Sequence, residues 1–345
     1  MAATTERPQQ KEQLVRSAWL WAQHLFVRLG VLPFLLFIAV VAFALMSDRF
    51  LGLQNLTNVA RQSTYLAMVA MGQMLALLTG GFDLSVGTTV ALTSVIGAMA
   101  MTAMIGAYPD AVVLSIAVGM LAGVAAGISI GIVNGIGVAL FNVSPFMMTL
   151  GMASVGFGIS LYLTGGVPVY GMPPEFGKAL GFGHWLGIPV PIYVTVALAL
   201  IMYVVLNWTR MGRYFYAIGG NLKASILSGI NTRFYLFMAY VLCAALTAIS
   251  GIMLTARLET GEANIGATMP LESIAACVIG GVSLRGGTGR LMNVVLGAIF
   301  INLVQNGMNL ARIESYLQIV VIGILLIIAV VADQLRQHVM AKLRD

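Results

Sequence analysis

Charge is what this sequence has least of: only 9% of its 345 residues are Asp, Glu, Lys or Arg. A soluble domain carries about 25%. The chain therefore lacks the polar surface to face water on all sides, and a soluble globular fold is excluded. Histidine and cysteine are nearly as scarce, at three and two. His24, His184 and His338 are scattered, and Cys243 and Cys277 lie inside apolar segments with neither metal-ligand nor redox spacing. The cysteines read as small core residues. Nucleotide motifs are missing too. The nearest thing to a phosphate loop, GMPPEFGKAL at 171–180, has five residues between its glycines instead of four and no Ser or Thr after its lysine. No metal site, no catalytic site and no nucleotide hydrolysis by the chain itself are expected.

What is present is apolar length. The composition is 59% hydrophobic with a mean hydropathy of +0.95. The apolar runs are too long, and alternate too little, for a transmembrane barrel. The expected class is an all-α polytopic membrane protein of about ten transmembrane helices. The ten segments fall at 31–47, 57–79, 84–105, 111–140, 143–163, 189–207, 234–257, 268–283, 291–309 and 316–335. The eighth is the weakest, its uninterrupted apolar part being SIAACVIGG. Residues 1–30 form a polar, basic N-terminal arm, 31–335 the transmembrane domain and 336–345 a tail. MSDRF follows the first apolar run where a signal peptide would end in small residues, so that run reads as a retained span.

The net charge of +6 is no nucleic-acid signal, because the basic residues sit between apolar runs without interleaved aromatics. They orient the helices instead. With the N-terminus in the cytoplasm, thirteen of the 18 Lys and Arg fall inside: Arg7, Lys11, Arg16, Arg28, Arg210, Arg213, Lys223, Arg233, Arg285, Arg290, Arg336, Lys342 and Arg344. Arg49, Arg61, Lys178, Arg257 and Arg312 fall outside. This bias predicts ten spans with both termini cytoplasmic. A merely re-entrant eighth segment would put the basic C-terminus outside. A weak internal repeat also exists at an offset of 200: GGFDLSVGTTVALTSVIGA (80–98) matches GGVSLRGGTGRLMNVVLGA (280–298) at eight of 19 positions. Two weakly related halves are a common plan for transporters with interrupted helices.

Three places could carry chemistry. The first is LTGGFDLSVGTTVA (78–91), where Asp83 is the only carboxylate between Asp48 and Asp110. Either Gly80 and Gly81 end one helix and Asp83 caps the next, or the break, with Asp83 and Ser85, lines a translocation pathway. The two overlap, because a broken helix is tolerated only inside protein or along a wet cavity. The second is INLVQNGMNL (301–310). Asn302, Gln305, Asn306 and Asn309 share one helical face, and their uncharged amides suit either a pathway wall for a hydroxyl-rich solute or hydrogen bonds between helices. Asn134, Asn142, Thr149 and Gln73 are weaker candidates of the same kind. The third is the polar, basic connection at 209–233, in which ASILSGI after GGN reads as a short surface helix. It is either a lever for a partner or a solvated interfacial loop.

Three motifs in order, TGGFDLSVG, GRYFYAIGGNLKASILSGIN and LESIAACVIGGVSLRGGTGR with NGMNL downstream, resemble those of ribose-type ABC transporter permeases within the branched-chain amino acid permease superfamily. The resemblance runs from about residue 50 to residue 333. It implies a permease of a bacterial inner-membrane monosaccharide importer that dimerises, usually with itself. It also implies a separate ABC ATPase subunit that uses the ATP, and a periplasmic sugar-binding protein that delivers the cargo. Gly212, Arg213, Ala217, Gly219, Asn221, Ala224, Ser228, Gly229 and Ile230 match the segment that engages the ATPase, and Asp83 and Ser85 match the family's DLS stretch. Of the paired acidic residues the family carries near position 272, only Glu272 is present. The implied function is ATP-driven alternating access. The rival reading, an ion-coupled secondary transporter of a small polar solute, would need mid-membrane carboxylates, and only Asp83 offers itself.

Overall fold

The computed structural model describes residues 32–342, with the side chains at 332, 333 and 335–342 left undescribed. The N-terminal arm and residues 343–345 lie outside the described residues. The long helices are α1 (Leu32–Met46), α2 (Leu53–Leu78), α3 (Val86–Ala107), α4 (Val112–Ala139), α5 (Pro145–Thr164) and α6 (Val190–Trp208). Two short helices, α7 (Arg210–Gly220) and α8 (Leu222–Leu227), precede α9 (Thr232–Leu258), α10 (Met269–Ile279), α11 (Leu291–Leu310) and α12 (Ser315–Lys342). The described part of the tail continues α12. The one sheet among the described residues is a hairpin of two-residue strands, β1 (His184–Trp185) and β2 (Ile188–Pro189).

Each apolar segment expected from the sequence overlaps one of these helices, with ends that differ by a few residues in most of them. Six of them, α3, α4, α5, α6, α9 and α11, are long and apolar enough to cross a membrane. At the centre stands α2, buried on every side from Ser63 to Thr79. A helix buried all round belongs in the middle of a bundle. Its first half is polar (LQNLTNVARQS) and its second half apolar. Helix α9 runs antiparallel to it: the Ser250 hydroxyl donates to Tyr65 O at 2.8 Å, and Gly72 packs on the Cys243 backbone. Helix α11 also runs antiparallel, from an Asn55–Asn306 contact at one end to the loop that precedes it, where Gly287 bonds Leu78 O, at the other. Helices α4, α5 and α6 form the outer wall and expose most of their length.

The eighth apolar segment is half helix. Helix α10 has 11 residues, which at 1.5 Å each is ~16 Å, about half of a hydrocarbon core ~30 Å thick. The irregular stretch 259–268 covers the remaining distance. It starts at a two-way backbone pairing between Gly261 and Val169 and ends with Gly266 against Gly87. From there α10 passes Ala70 of α2, where the Cys277 thiol donates to its carbonyl at 3.3 Å. The loop 280–290 then reaches Leu78. The chain thus passes between opposite ends of the bundle over residues 258–290.

The two stretches of the weak repeat adjoin in space, since a Cβ on Gly286 would lie 2.9 Å from Gly80 N. Their aligned residues nonetheless take different conformations. Gly87 lies inside α3, whereas Gly287 sits in a turn at φ 72°.

Candidate functional site

The interrupted helix answers to its sequence. Helix α2 stops at Thr79, and Gly80 turns the chain at φ 86°, a conformation that side chains resist. Residues 81–85 then run back beside the last turns of α2. The Gln73 amide, oriented by its surroundings, donates to Asp83 O at 3.0 Å and accepts the Asp83 N–H at 3.1 Å. A side chain of α2 therefore satisfies both backbone groups of Asp83 within the break, which lipid could not do.

The Asp83 side chain faces the start of α3. Its Oδ1 accepts the Ser85 N–H at 2.8 Å and the Ser85 hydroxyl at 2.6 Å. The Ser85 Oγ accepts from Asn134 Nδ2 of α4 at 2.7 Å. Asn134, Ser85 and Asp83 form a donor chain ending on a carboxylate, and all three are at most 1% exposed. The carboxylate takes the backbone N–H two residues on, which is an Asx turn ending on Ser85, the N-cap residue of α3, and α3 itself has no side-chain cap bond. Tyr240 and Cys243 of α9 close the site, and the Tyr240 hydroxyl and Asn134 Oδ1 lack partners among the described residues.

A second helix start converges on the first. Pro270 and Gly266, flanking the N-terminus of α10, pack against Gly87 in the first turn of α3. Each helix brings about half a positive charge to its N-terminus, and each has a carboxylate there, Asp83 before α3 and Glu272 in the first turn of α10. Glu272 accepts from Gln305 Nε2 of α11 at 2.9 Å. Two interrupted helices meeting inside the bundle, with carboxylates and amides around them, offer both donors and acceptors to a hydroxyl-bearing solute.

The α11 amides are on one face, as their spacing requires, and neighbouring elements use most of them. Asn306 and Asn55 exchange two amide hydrogen bonds, at 2.8 and 2.9 Å. Gln305 takes Glu272, and Asn309 Oδ1 accepts from Gln318 of α12 at 2.8 Å. Asn302 bonds back to Ala298 O of its own helix. The face ties α11 to α2, α10 and α12. Among the weaker candidates, Gln73 and Asn134 join Asp83, Thr149 bonds to Pro145 O in its own helix, and Asn142 lies exposed in the α4–α5 turn.

The 209–233 connection is more ordered than a solvated loop. Three successive helix starts are capped by side chains: Thr209 accepts from Gly212, Asn221 from Ala224 and Asn231 from Phe234. Helix α8 overlaps the expected surface helix at 224–227 but starts at Leu222 and ends before Ser228 and Gly229. Helix α7 was not anticipated, although Gly212, Phe215 and Ile218 give it a buried face at helical spacing; its glycines disguise it. The family-matched residues divide by role. Gly212, Ala217, Gly219 and Ile230 are buried or half-buried and seat the segment, whereas Arg213, Ala224, Ser228 and Gly229 are exposed. Asn221, also exposed, serves as the cap of α8. Leu222, Ile226 and Leu227 add an exposed apolar ridge.

Residues 55–330 match the model of a family described as branched-chain amino acid transport system / permease component. The chain is 40% identical over 304 residues to the ribose import permease of Bacillus subtilis strain 168, covering 88% of this chain and 92% of that one. It is 34% identical to the D-allose transport system permease of Escherichia coli K12, covering 88% and 90% of the two chains. With the L-arabinose transport system permease of the same organism the identity is 36%, covering 86% and 88%. No solved structure matches.

Proposed function

The chain belongs to this family of transport-system permease components, and from that membership we propose that it is the membrane subunit of an ABC importer for a ribose-like monosaccharide or related polyol. It is a transport component and not an enzyme. The similarity to the ribose permease over nearly the full length of both chains carries the reading. In this account ATP is used by a separate ATPase subunit, a periplasmic sugar-binding protein delivers the cargo, and a second copy completes the permease. The chain crosses the inner membrane ten times, counting residues 258–290 as one crossing, with both termini in the cytoplasm.

The mechanism follows from where the backbone is broken. The ATPases engage Arg213, Ala224, Ser228, Gly229 and the apolar ridge of α8. Their closure over ATP moves α7, which is seated on α2 and α9, and so reaches the break. Asp83 and Ser85 stand beside the pathway at the junction of α3 and α10. Asn302, Gln305, Asn306 and Asn309 hold the helices around that pathway and exchange partners as the helices rock. A permease that receives its cargo from a binding protein needs only weak sites of its own, consistent with so few charges.

Deleting the gene for this chain from its own cell and following uptake of labelled ribose, allose and arabinose tests the reading. Uptake of at least one is abolished and is restored by the chain on a plasmid. Unchanged uptake of every monosaccharide and polyol tried would contradict it.

A further inference from the structure

We infer that the loop Ser283–Arg290 is a second docking element for the importer's ATPase subunit, beside α7 and α8. The inference rests on the reading of the chain as an ABC permease.

The loop is a built structure. The Ser283 N–H donates to Thr288 O at 3.0 Å, the Gly286 N–H to Ser283 O at 3.1 Å and the Arg285 N–H to Ser283 Oγ at 3.2 Å. Gly286 and Gly287 turn it at φ 88° and 72°. It is also fastened to its surroundings. The Gly287 N–H donates to Leu78 O at 2.9 Å, and the Tyr216 hydroxyl of α7 donates to Gly289 O at 3.0 Å. A Cβ on Gly219 would overlap Leu78 O and lie 2.5 Å from Gly287 N. The end of α7, the end of α2 and this loop thus meet backbone to backbone.

The loop's outer side is basic and unpartnered. Arg285, Thr288 and Arg290 are exposed. Residues 209–233 and 280–290 together hold Arg210, Arg213, Lys223, Arg233, Arg285 and Arg290 but no Asp or Glu. None of these six side chains forms an ion pair or hydrogen bond among the described residues. Such a surface fits an acidic partner. Its position decides which. The loop lies under the end of α2, the helix buried on all sides, and so under the centre of the bundle. Lipid headgroups ring the bundle at its periphery. What can cover the centre of this face is a protein seated below the membrane, and in an ABC importer that protein is the ATPase. A rigid loop joined to α2 also gives the ATPase a direct hold on the helix that ends at the Asp83 break.

The test uses the permease assembled with its ATPase in lipid nanodiscs. Thr288→Cys and, separately, Lys223→Cys carry a short photo-crosslinker; native Cys243 and Cys277 are fully buried and stay unlabelled. Both positions are expected to cross-link to the ATPase. Cross-linking from 223 alone overturns the second docking element and leaves the ABC reading standing. Cross-linking from neither, in a complex that co-purifies, overturns the ABC contact itself. Arg285→Glu combined with Arg290→Glu should lower ATP-driven uptake by about ten-fold or more, since like charges brought together at an interface are strongly unfavourable. That loss should be the same in proteoliposomes of phosphatidylcholine alone. A loss seen only with anionic lipid would assign the arginines to the membrane and overturn the inference.

Discussion

Asp83 is a buried carboxylate that accepts both the N–H and the hydroxyl of Ser85, two residues on. What it supplies there is an acceptor, and an amide oxygen can supply the same. Asp83→Asn is therefore expected to keep most uptake. Asp83→Ala leaves the Ser85 N–H and hydroxyl without their acceptor and should cost about 2 kcal/mol of stability. Thermal melting of the purified variants together with uptake checks this. An Asn variant that melts normally and is as inactive as Ala would give the charge itself the function. That a carboxylate stands at a helix break was legible in GGFDLS. The groups around it were not, because Gln73, Asn134 and Tyr240 reach it from α2, α4 and α9, and sequence spacing carries no record of which helices touch.

Helix α11 is tied to its neighbours by a small number of amide contacts. Water is not available to compete inside the bundle, but in membranes such bonds still contribute modestly. A double-mutant cycle on Asn55→Leu and Asn306→Leu should show a coupling of about 0.6 kcal/mol, and no more than about 1.7. Zero coupling would mean that the reciprocal pair does not hold α2 to α11. The element boundaries were largely readable, since long apolar runs ended by Gly, Pro or charge leave little choice. The misreadings have local causes. Helix α10 stops at Ile279 because Gly280 and Gly281 follow, which shortens the expected segment 268–283. Helix α7 was missed because Gly212, Gly219 and Gly220 lower its helix propensity, while its burial against α2 and α9 outweighs that. The amide face of α11 was legible as a face, and its partners were not: Asn55 is 251 residues away.

At the scale of the whole molecule, the folded chain and its charges agree on one arrangement. The segment 209–233 and the loop 280–290, both basic and free of carboxylates, lie at the same end of the bundle. Lys178 belongs to the connection whose Val169 pairs with Gly261 at the other end. Cysteine at position 178 should be labelled from the periplasm and cysteine at 223 should not, both positions being exposed on the protein. Periplasmic labelling at 223 would invert the arrangement. In the proposed function, ATP hydrolysed by a partner drives sugar through this permease. The most direct test of this is uptake into proteoliposomes holding the permease and its ATPase, with the sugar-loaded binding protein on the outer side. Uptake should need ATP and the binding protein and persist when ionophores collapse every Na⁺ and H⁺ gradient. Uptake that ignores ATP and stops with the ionophores would contradict it.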